Sequence, residues 1–244
     1  LSRNECGVGV VQMRSAVVGK SERRPEDDPR FQRVREQLIR AVTELATVKP
    51  AEEITVSELT VKAEVARTTF YKHADSPARL LADHLIRQIR PKIEPLATLL
   101  DEAREDYLLR WREIMIELLE HARENERVYS HVFTADGQSV VLAMLSAYFE
   151  KVFSEYVESF VQHVDGGVPS ELWVTMAISQ QVHNLIAIIG SWLRTGMEES
   201  PEVVVSTYMS LAPPWQLAKF SPSGRTSLRR NRVVASLLES IADE

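Results

Sequence analysis

The sequence has little of the material that builds a disulfide scaffold, a secreted protein or a membrane anchor. Cys6 is the single cysteine among 244 residues, which excludes an internal disulfide and a cluster of cysteine metal ligands. No continuous apolar run approaches the ~20 residues that a membrane-spanning helix needs. The apolar run at positions 7 to 12 is too short for the core of a signal peptide. We therefore expect a protein of the reducing cytoplasm with no membrane partner.

Catalytic and metal-binding motifs are missing as well. Helical bundles can hold two metal ions in Glu-x-x-His motifs, but none of the six histidines follows a glutamate by three positions. The sequence contains no P-loop, no Gly-x-Ser-x-Gly motif and no Cys–His pair of known catalytic spacing. We expect no enzyme activity, no cofactor and no metal, and a helical-bundle enzyme is the disfavoured alternative.

The pattern that is present is helical throughout. Apolar residues make up 44% of the chain, which is enough for a sizeable core. Alternating strand patterns bounded by turns are not found. After a first helix that opens near residue 29, the periodicity predicts a helix at 76–90 that Pro91 stops. Six further helices are predicted at 92–101, 104–122, 124–133, 137–163, 169–195 and 201–212.

Charge divides the chain into unequal parts although the net charge is −6. Residues 29–90 carry 11 Lys/Arg and 8 Asp/Glu, a net charge of +3, whereas residues 91–244 carry 13 and 22, a net charge of −9. A polyanion such as DNA is therefore attracted to the N-terminal part and repelled by the rest. The alternative is an acidic, solvated surface with no steering role.

The most informative segment runs from residue 54 to residue 73 and reads ITVSELTVKAEVARTTFYKH. Thr55 and Glu58 have the spacing of a capping box, which predicts a helix start. A second short helix near residues 66–72 turns Phe70 inward and the basic, hydroxyl and aromatic side chains outward. An apolar helix that braces a short basic one is typical of proteins that read the DNA major groove.

This segment resembles the DNA-binding end of the tetracycline-repressor (TetR) family. The resemblance lies in the order T-V-x-x-L, A-x-V and R-x-T-F-Y-x-H, carried by Thr55, Val56, Leu59, Ala63, Val65, Arg67, Thr69, Phe70, Tyr71 and His73. The helix before it fits as well, with an apolar stripe formed by Phe31, Val34, Leu38, Ala41, Val42 and Leu45.

The resemblance implies an all-α protein with an N-terminal three-helix, helix-turn-helix DNA-binding domain and a C-terminal helical ligand-binding and dimerisation domain. It places the DNA contacts at Thr55, Arg67, Thr68, Thr69, Tyr71, Lys72 and His73. Tyr71 and His73 are expected to contact phosphates, while Arg67, Thr68 and Lys72 face base edges.

Four positions depart from the family pattern, and one of them is Ala74, which replaces a phenylalanine after His73. Glu64 replaces the usual turn glycine, Ala66 replaces a Ser or Thr cap, and Pro77 replaces a lysine that contacts phosphate. Ser76 and Pro77 still fit the start of the next helix. These departures support an alternative in which the head no longer binds DNA and the protein is a helical protein-binding coactivator module.

The domain boundaries follow from composition and periodicity. Residues 1–28 are predicted to be a mobile arm and residues 29–90 the DNA-binding domain with its linker helix. Residues 91–215 form the effector-binding and dimerisation domain, which Trp215 closes, and residues 216–244 form a basic tail with a short end helix.

The helix at 169–195 is apolar on more than one face, which requires cover from two sides. The end of this segment also resembles the C-terminal helices that pair in TetR-family homodimers. We expect a two-fold interface at Leu185, Ile186, Ile189, Gly190, Leu193, Val204 and Tyr208. The alternative is that this helix is simply the central core helix of the body.

Aromatic and methionine side chains of the body are candidates for an effector pocket. They are Tyr107, Trp111, Met115, Phe133, Met144, Phe149, Trp173 and Met176. For any single one, an ordinary core position is the competing interpretation. We predict a homodimeric transcriptional regulator, a repressor of a palindromic double-stranded DNA operator, which a small apolar or aromatic effector releases.

Overall fold

Helices account for the regular structure of the part of the chain described by the computed structural model, which comprises residues 28–102, 106–134, 139–164 and 169–217. The ten α-helices in these ranges are α1 Pro29–Ala46, α2 Val56–Lys62, α3 Arg67–Phe70, α4 Pro77–Ile93, α5 Leu99–Glu102, α6 Tyr107–Glu124, α7 Glu126–Thr134, α8 Val140–Gln162, α9 Glu171–Arg194 and α10 Pro201–Leu211. Two 3₁₀ turns, Ala51–Glu53 and Glu94–Leu96, complete them. The N-terminal arm up to residue 27, Gly137, the 165–167 turn and the predicted end helix lie outside the described residues.

Local side-chain bonds start the first helices where the sequence predicts them. Asp28 caps α1 through Arg30, and Pro29 occupies the first turn. Thr55 and Glu58 form the predicted capping box at α2, in which each side chain bonds the other residue's backbone N–H. Ser76 caps α4, with Pro77 as its first residue. These N-caps fix the residues at which α1, α2 and α4 begin.

The turn between α2 and α3 holds its backbone in the left-handed region. Glu64 has a φ of 54°, and Val65 N donates a hydrogen bond to Thr60 O across the turn. This is the position at which the family uses glycine, and a non-glycine residue there is strained. Ala66, which precedes α3, provides no side-chain cap. Both departures are therefore real structural costs in the helix-turn-helix unit.

The linker helix α4 is longer than predicted. Pro91 was expected to stop it, but α4 continues through Pro91 to Ile93. A proline removes one backbone bond, and burial of Ile89 and Ile93 holds the helix together on either side of it. The predicted helix at 92–101 is correspondingly wrong, since a 3₁₀ turn that contains Pro95 and the short α5 take its place.

The body is built around α8. Helices α4 and α9 both pack against α8, and α6 packs against α4 and α10. Large buried side chains of α8, including Phe153, Tyr156 and Phe160, fill the centre. Trp215 closes this core as predicted, because its ring lies 5.0 Å from that of Phe160 and 5.6 Å from that of Trp173.

The sequence predicts no segment long and apolar enough to span a membrane, and α9 is an exception. It is the one helix in the described part of the chain that could cross a membrane by length and composition, although core helices pass the same test. Polar residues such as Gln181 interrupt its apolar run, which is why no continuous stretch stood out in the sequence. Only 28% of its most apolar segment is buried within one chain. The apolar residues of α9 that its own chain leaves exposed are Leu172, Met176 and Ala187.

Candidate nucleic-acid interface and effector body

The predicted DNA contacts meet on one surface around α3. Arg67, Thr68, Tyr71 and Lys72 are exposed there, while Phe70 is completely buried beneath them. The Arg67 guanidinium lies 3.5 Å from the Tyr71 hydroxyl, so the two side chains share one edge of this surface. A buried anchor with basic, hydroxyl and aromatic groups above it is the arrangement that a major-groove reader uses.

Two other residues predicted to contact DNA, Thr69 and Thr55, are less accessible to it. Thr69 is half-buried. Thr55 is exposed, but its hydroxyl belongs to the capping box, where it accepts from Glu58 N at 3.1 Å and donates to Glu58 Oε2 at 2.9 Å. Lys49 Nζ lies 2.8 Å from Glu58 Oε1. Its hydrogen bond, together with those from Thr55, lowers the pKa of Glu58 to about 2.

His73 is half-buried at the end of the α3 segment. Its ring stacks on Phe31 of α1, with centroids 3.9 Å apart, and its backbone oxygen accepts a hydrogen bond from Arg35 Nη1 at 3.4 Å. Burial, the Arg35 charge and the Lys72 charge all lower the pKa of His73. Phe31 was assigned only to the apolar stripe, and Arg35 was missed because a contact across 38 residues leaves no local pattern.

Some basic side chains of the head form ion pairs with carboxylates and others do not. Lys49 pairs with Glu58, and Lys62 Nζ lies 2.7 Å from Glu44 Oε2. Arg67 and Lys72 form no ion pair with a carboxylate in the described ranges. These two cations are therefore among those of the head that remain available to phosphates or base edges.

The residues predicted for a dimer interface mostly face inward. Leu185 and Ile189 are 3% and 2% exposed, and Gly190 and Tyr208 are also buried inside one chain. A Cβ at Gly190 would come within 3.3 Å of Phe133, so the glycine admits α7 of its own chain rather than a second copy. Ile186, Leu193 and Val204 are half-buried. A symmetric contact would therefore have to use the less buried side chains of α9 and α10.

The outer side of α9 and α10 carries an apolar groove, and Val204 and Tyr208 of the predicted set also line it. It has a volume of about 350 Å³, and α9 contributes Ala187, Ile188 and Ser191 to it. From α10 come Val203, Thr207 and Leu211, and Leu211 is 77% exposed. Further towards the start of α9, Leu172 and Met176 are also exposed.

The predicted effector residues do not line this groove. Tyr107, Trp111, Met115 and Phe149 are buried in the core, whereas Phe133, Met144 and Trp173 are only partly buried. Met176 is 63% exposed and is not a pocket residue. The structure instead brings polar side chains together around Gln216. The sequence pattern predicts this residue in the tail.

Gln216 is completely buried and receives bonds from three helices. Its Oε1 accepts from Tyr208 OH at 2.8 Å and from Gln181 Nε2 at 3.2 Å, and its backbone oxygen accepts from Tyr107 OH. Asn184 Nδ2 in turn donates to Tyr208 OH at 3.1 Å. Burial raises the pKa of Tyr107 and Tyr208, so both hydroxyls remain protonated donors.

Metal ligands do not cluster in the described ranges, since no group of three or more His, Cys, Asp or Glu side chains could hold an ion there. Among the histidines of the body, His121 is buried and its Nδ1 lies 3.3 Å from Asn125 Nδ2. His183 is exposed, and its Nδ1 bonds the carbonyl oxygen of Ser179 in its own helix.

Comparison with known proteins finds a family model that matches part of the body. A family model for the C-terminal region of TetR-type transcriptional regulators matches residues 110–213. No curated protein sequence matches the chain. Solved structures that share the fold include two regulators. A TetR transcriptional regulator from Streptococcus agalactiae is 16% identical with a TM-score of 0.55, and the match covers 76% of this chain and 97% of that one. The repressor NalD of the MexAB-OprM multidrug efflux pump in Pseudomonas aeruginosa is 15% identical with a TM-score of 0.52, covering 77% and 96%.

Proposed function

We propose that the chain is a TetR-family transcriptional regulator, a homodimeric repressor of a palindromic operator that a small apolar or aromatic effector releases. DNA-binding transcriptional regulation is supported by the family model, which describes the C-terminal region of transcriptional regulators, and by the helix-turn-helix head that precedes it. The finer parts of the proposal concern which residues read DNA, how two copies pair, and how an effector acts. A cytoplasmic location follows from the same proposal.

The observation that carries the DNA-reading part is the surface of α3. Four exposed side chains stand over one buried phenylalanine, and two of the four are cations without an ion pair in the described part of the chain. We propose that Arg67, Thr68 and Lys72 face base edges. Tyr71 and His73 contact phosphates, with Phe31 and Arg35 holding the His73 segment in place.

The dimer part of the proposal moves the interface to the exposed face of α9 and α10. Leu172, Met176, Val203 and Leu211 are large apolar side chains that one chain leaves in contact with water. Exposed apolar surface of this extent marks an interaction site. Small residues at Ala187 and Ser191 permit a close approach of a second helix pair. An isologous pair would set two α3 helices about 34–36 Å apart, or a multiple of that distance.

The effector part rests on two-state coupling. An effector can release the protein from DNA only as far as its affinity for the two body conformations differs. We propose residues 29–90 as the reading head and residues 91–216 as the body, with α4 connecting them. Helix α4 packs on α1 in the head and on α6 and α8 in the body, so a shift in the body moves the head.

Selection of binding sites from a random DNA pool tests the proposal. The parent chain should select a palindrome. Arg67→Ala should relax the preference at a particular base pair by roughly 1–3 kcal/mol. Tyr71→Phe should weaken binding to all sequences about equally, because phosphate contacts carry no sequence information.

Arg110→Ala is the matched control, since Arg110 is exposed on the body and pairs with Glu113 at 2.9 Å. It should change neither selectivity nor affinity. A parent chain that selects no site at low salt would remove the DNA-reading proposal. That result would favour the coactivator alternative, which the strain at Glu64 and the missing cap at Ala66 support.

A further inference from the structure

We propose that the segment from Pro213 to Leu217 is a built-in occupant of the effector site, and that the effector is a neutral aromatic compound with a carbonyl acceptor. The inference rests on the proposed function in one respect, because it names the chemical class of the proposed effector. The site itself is argued below from contacts of the described residues.

The segment reverses direction directly after α10. Gln216 N donates to Pro213 O at 3.0 Å, which closes a turn. This turn places Trp215 and Gln216 side by side between α6, α8, α9 and α10. Glutamine is seldom fully buried unless its amide is bonded, and Gln216 is 0% exposed. The turn therefore inserts a polar group where a closing segment would ordinarily place an apolar one.

The body presents converging donors to this single residue. Tyr208 and Gln181 donate to the side-chain oxygen, and Tyr107 donates to the backbone oxygen. These donors come from α10, α9 and α6, which are separated by many residues along the chain. Convergence of hydrogen-bond donors from several elements on one carbonyl group is the pattern of a ligand site.

The cluster is not fully satisfied by the glutamine that fills it. Trp111 Nε1, Tyr156 OH and Gln216 Nε2 are buried and have no hydrogen-bond partner among the described residues. The Trp111 ring stacks on Tyr208 with centroids 5.5 Å apart, and the Tyr156 ring lies 6.3 Å from Trp215. Buried unbonded donors cost free energy, so an occupant with better placed acceptors would gain an advantage over the turn.

The chemistry of the walls selects the occupant. The groups that meet at Gln216 are phenol, amide and indole groups, and all of them are neutral. A carboxylate would be buried among them without a counter-charge, which is unfavourable. Trp215 fills the adjacent space between Trp173 and Phe160 as a flat aromatic ring. An aromatic ring next to a neutral carbonyl reproduces both features of the Trp215–Gln216 pair.

Displacement of the turn would reach the surface proposed for dimerisation. Tyr208 donates a hydrogen bond to Gln216 and also lines the α9/α10 groove. Asn184, which lines the same groove, donates to Tyr208. Loss of the Gln216 acceptor would therefore free α10 at the point where a second copy is proposed to pack. A single hydrogen bond, from Tyr208 to Gln216, thus connects the proposed effector site with the proposed dimer surface.

Titration of the full chain with three small probes tests the site. Acetophenone has a ring and a carbonyl, ethylbenzene lacks the acceptor, and benzoate adds a charge. Ligand-observed NMR should show acetophenone binding about tenfold more tightly than ethylbenzene, since one buried acceptor distinguishes them. Benzoate should bind no better than ethylbenzene. Equal binding of acetophenone and ethylbenzene would overturn the inference.

Gln216→Ala removes the competing amide and should tighten acetophenone binding about tenfold. Gln88→Ala, at an exposed position of α4, is the matched control and should leave the affinity unchanged. If Gln216→Ala binds acetophenone no better than the parent chain, Gln216 does not occupy the site.

A measurement on the unmodified chain covers the case in which Gln216→Ala does not fold. Acetophenone should accelerate hydrogen exchange at the Gln216 amide, because displacement of the turn breaks its bond to Pro213. Unchanged exchange at saturating probe would refute displacement. DNA affinity is measured separately. Binding without loss of DNA affinity leaves the site intact and removes only the proposed effector release.

Discussion

Glu52 in the reading head caps the first residue of α8 in the body. Its Oε1 accepts a hydrogen bond from Val140 N at 2.7 Å and another from Ser139 Oγ at 3.2 Å. The first N–H groups of a helix lack partners within the helix and carry a partial positive charge. A carboxylate from the turn between α1 and α2 therefore ties the position of the head to the central helix of the body.

We expect Glu52→Ala to loosen this connection. The free energy of unfolding should fall by about 0.5–2 kcal/mol, and hydrogen exchange at the Val140 amide should accelerate. Glu53→Ala changes the exposed neighbour in the same 3₁₀ turn and should leave that amide unaffected. If both variants exchange like the parent chain at Val140, the contact does not couple the two parts.

The strained turn of the helix-turn-helix unit predicts a stabilising substitution. Glu64 has a φ of 54°, so Glu64→Gly should raise the free energy of unfolding by about 1 kcal/mol. It should also strengthen DNA binding by removing a carboxylate close to phosphates. Urea unfolding and binding titrations measure the two effects. Glu53→Gly, at an ordinary backbone conformation, should instead lower the free energy of unfolding. If Glu53→Gly were the more stable of the two variants, strain at Glu64 would not be the cause.

Ala187 and Ile189 are both apolar residues of α9, but they differ in burial. Ala187 is exposed in the groove, so Ala187→Asp should separate the copies while each chain stays folded. Ile189 is 2% exposed, so Ile189→Asp should unfold the body because it buries an unpaired carboxylate. Sedimentation and circular dichroism distinguish the outcomes. A parent chain that is monomeric at micromolar concentration would contradict the proposed interface.

Stability should fall as the pH is lowered through the range in which histidine titrates. Burial is the main cause that lowers the pKa of His121, and the nearby Lys92 and His84 act in the same direction against Glu124. The pKa values of His84 and His73 are also lowered, chiefly by burial. The folded state thus binds fewer protons than the unfolded state, whose histidines titrate near 6.5.

This contribution to stability is present above pH ~6.5 and is lost as the pH falls below it. Urea midpoints should therefore decrease between about pH 7.5 and 5.5. His121→Gln should reduce the decrease. His183→Gln, at an exposed position, should reproduce the slope of the parent chain. An identical slope for the His121 variant would show that this histidine is not responsible.

The sequence by itself determined the elements that depend on neighbours three or four residues apart. The capping box of Thr55 and Glu58 and the Ser76 cap of α4 follow from short-range bonds. The left-handed turn at Glu64 was expected from the resemblance to the TetR family, because glutamate by itself disfavours that backbone conformation. The outward face of α3 follows from helical spacing around Phe70. These interactions persist in any tertiary context, so residue order is sufficient to predict them.

Only the tertiary structure decided which neighbour covers each apolar surface. Helix α9 is apolar on more than one face, so its composition cannot say whether Ile189 faces its own chain or a second copy. The structure turns Ile189 inward and fits Phe133 against Gly190. It likewise buries Gln216, a residue that polarity alone assigns to a solvated tail. Contacts between residues far apart in the chain settle such positions, because burial depends on packing that no local period encodes.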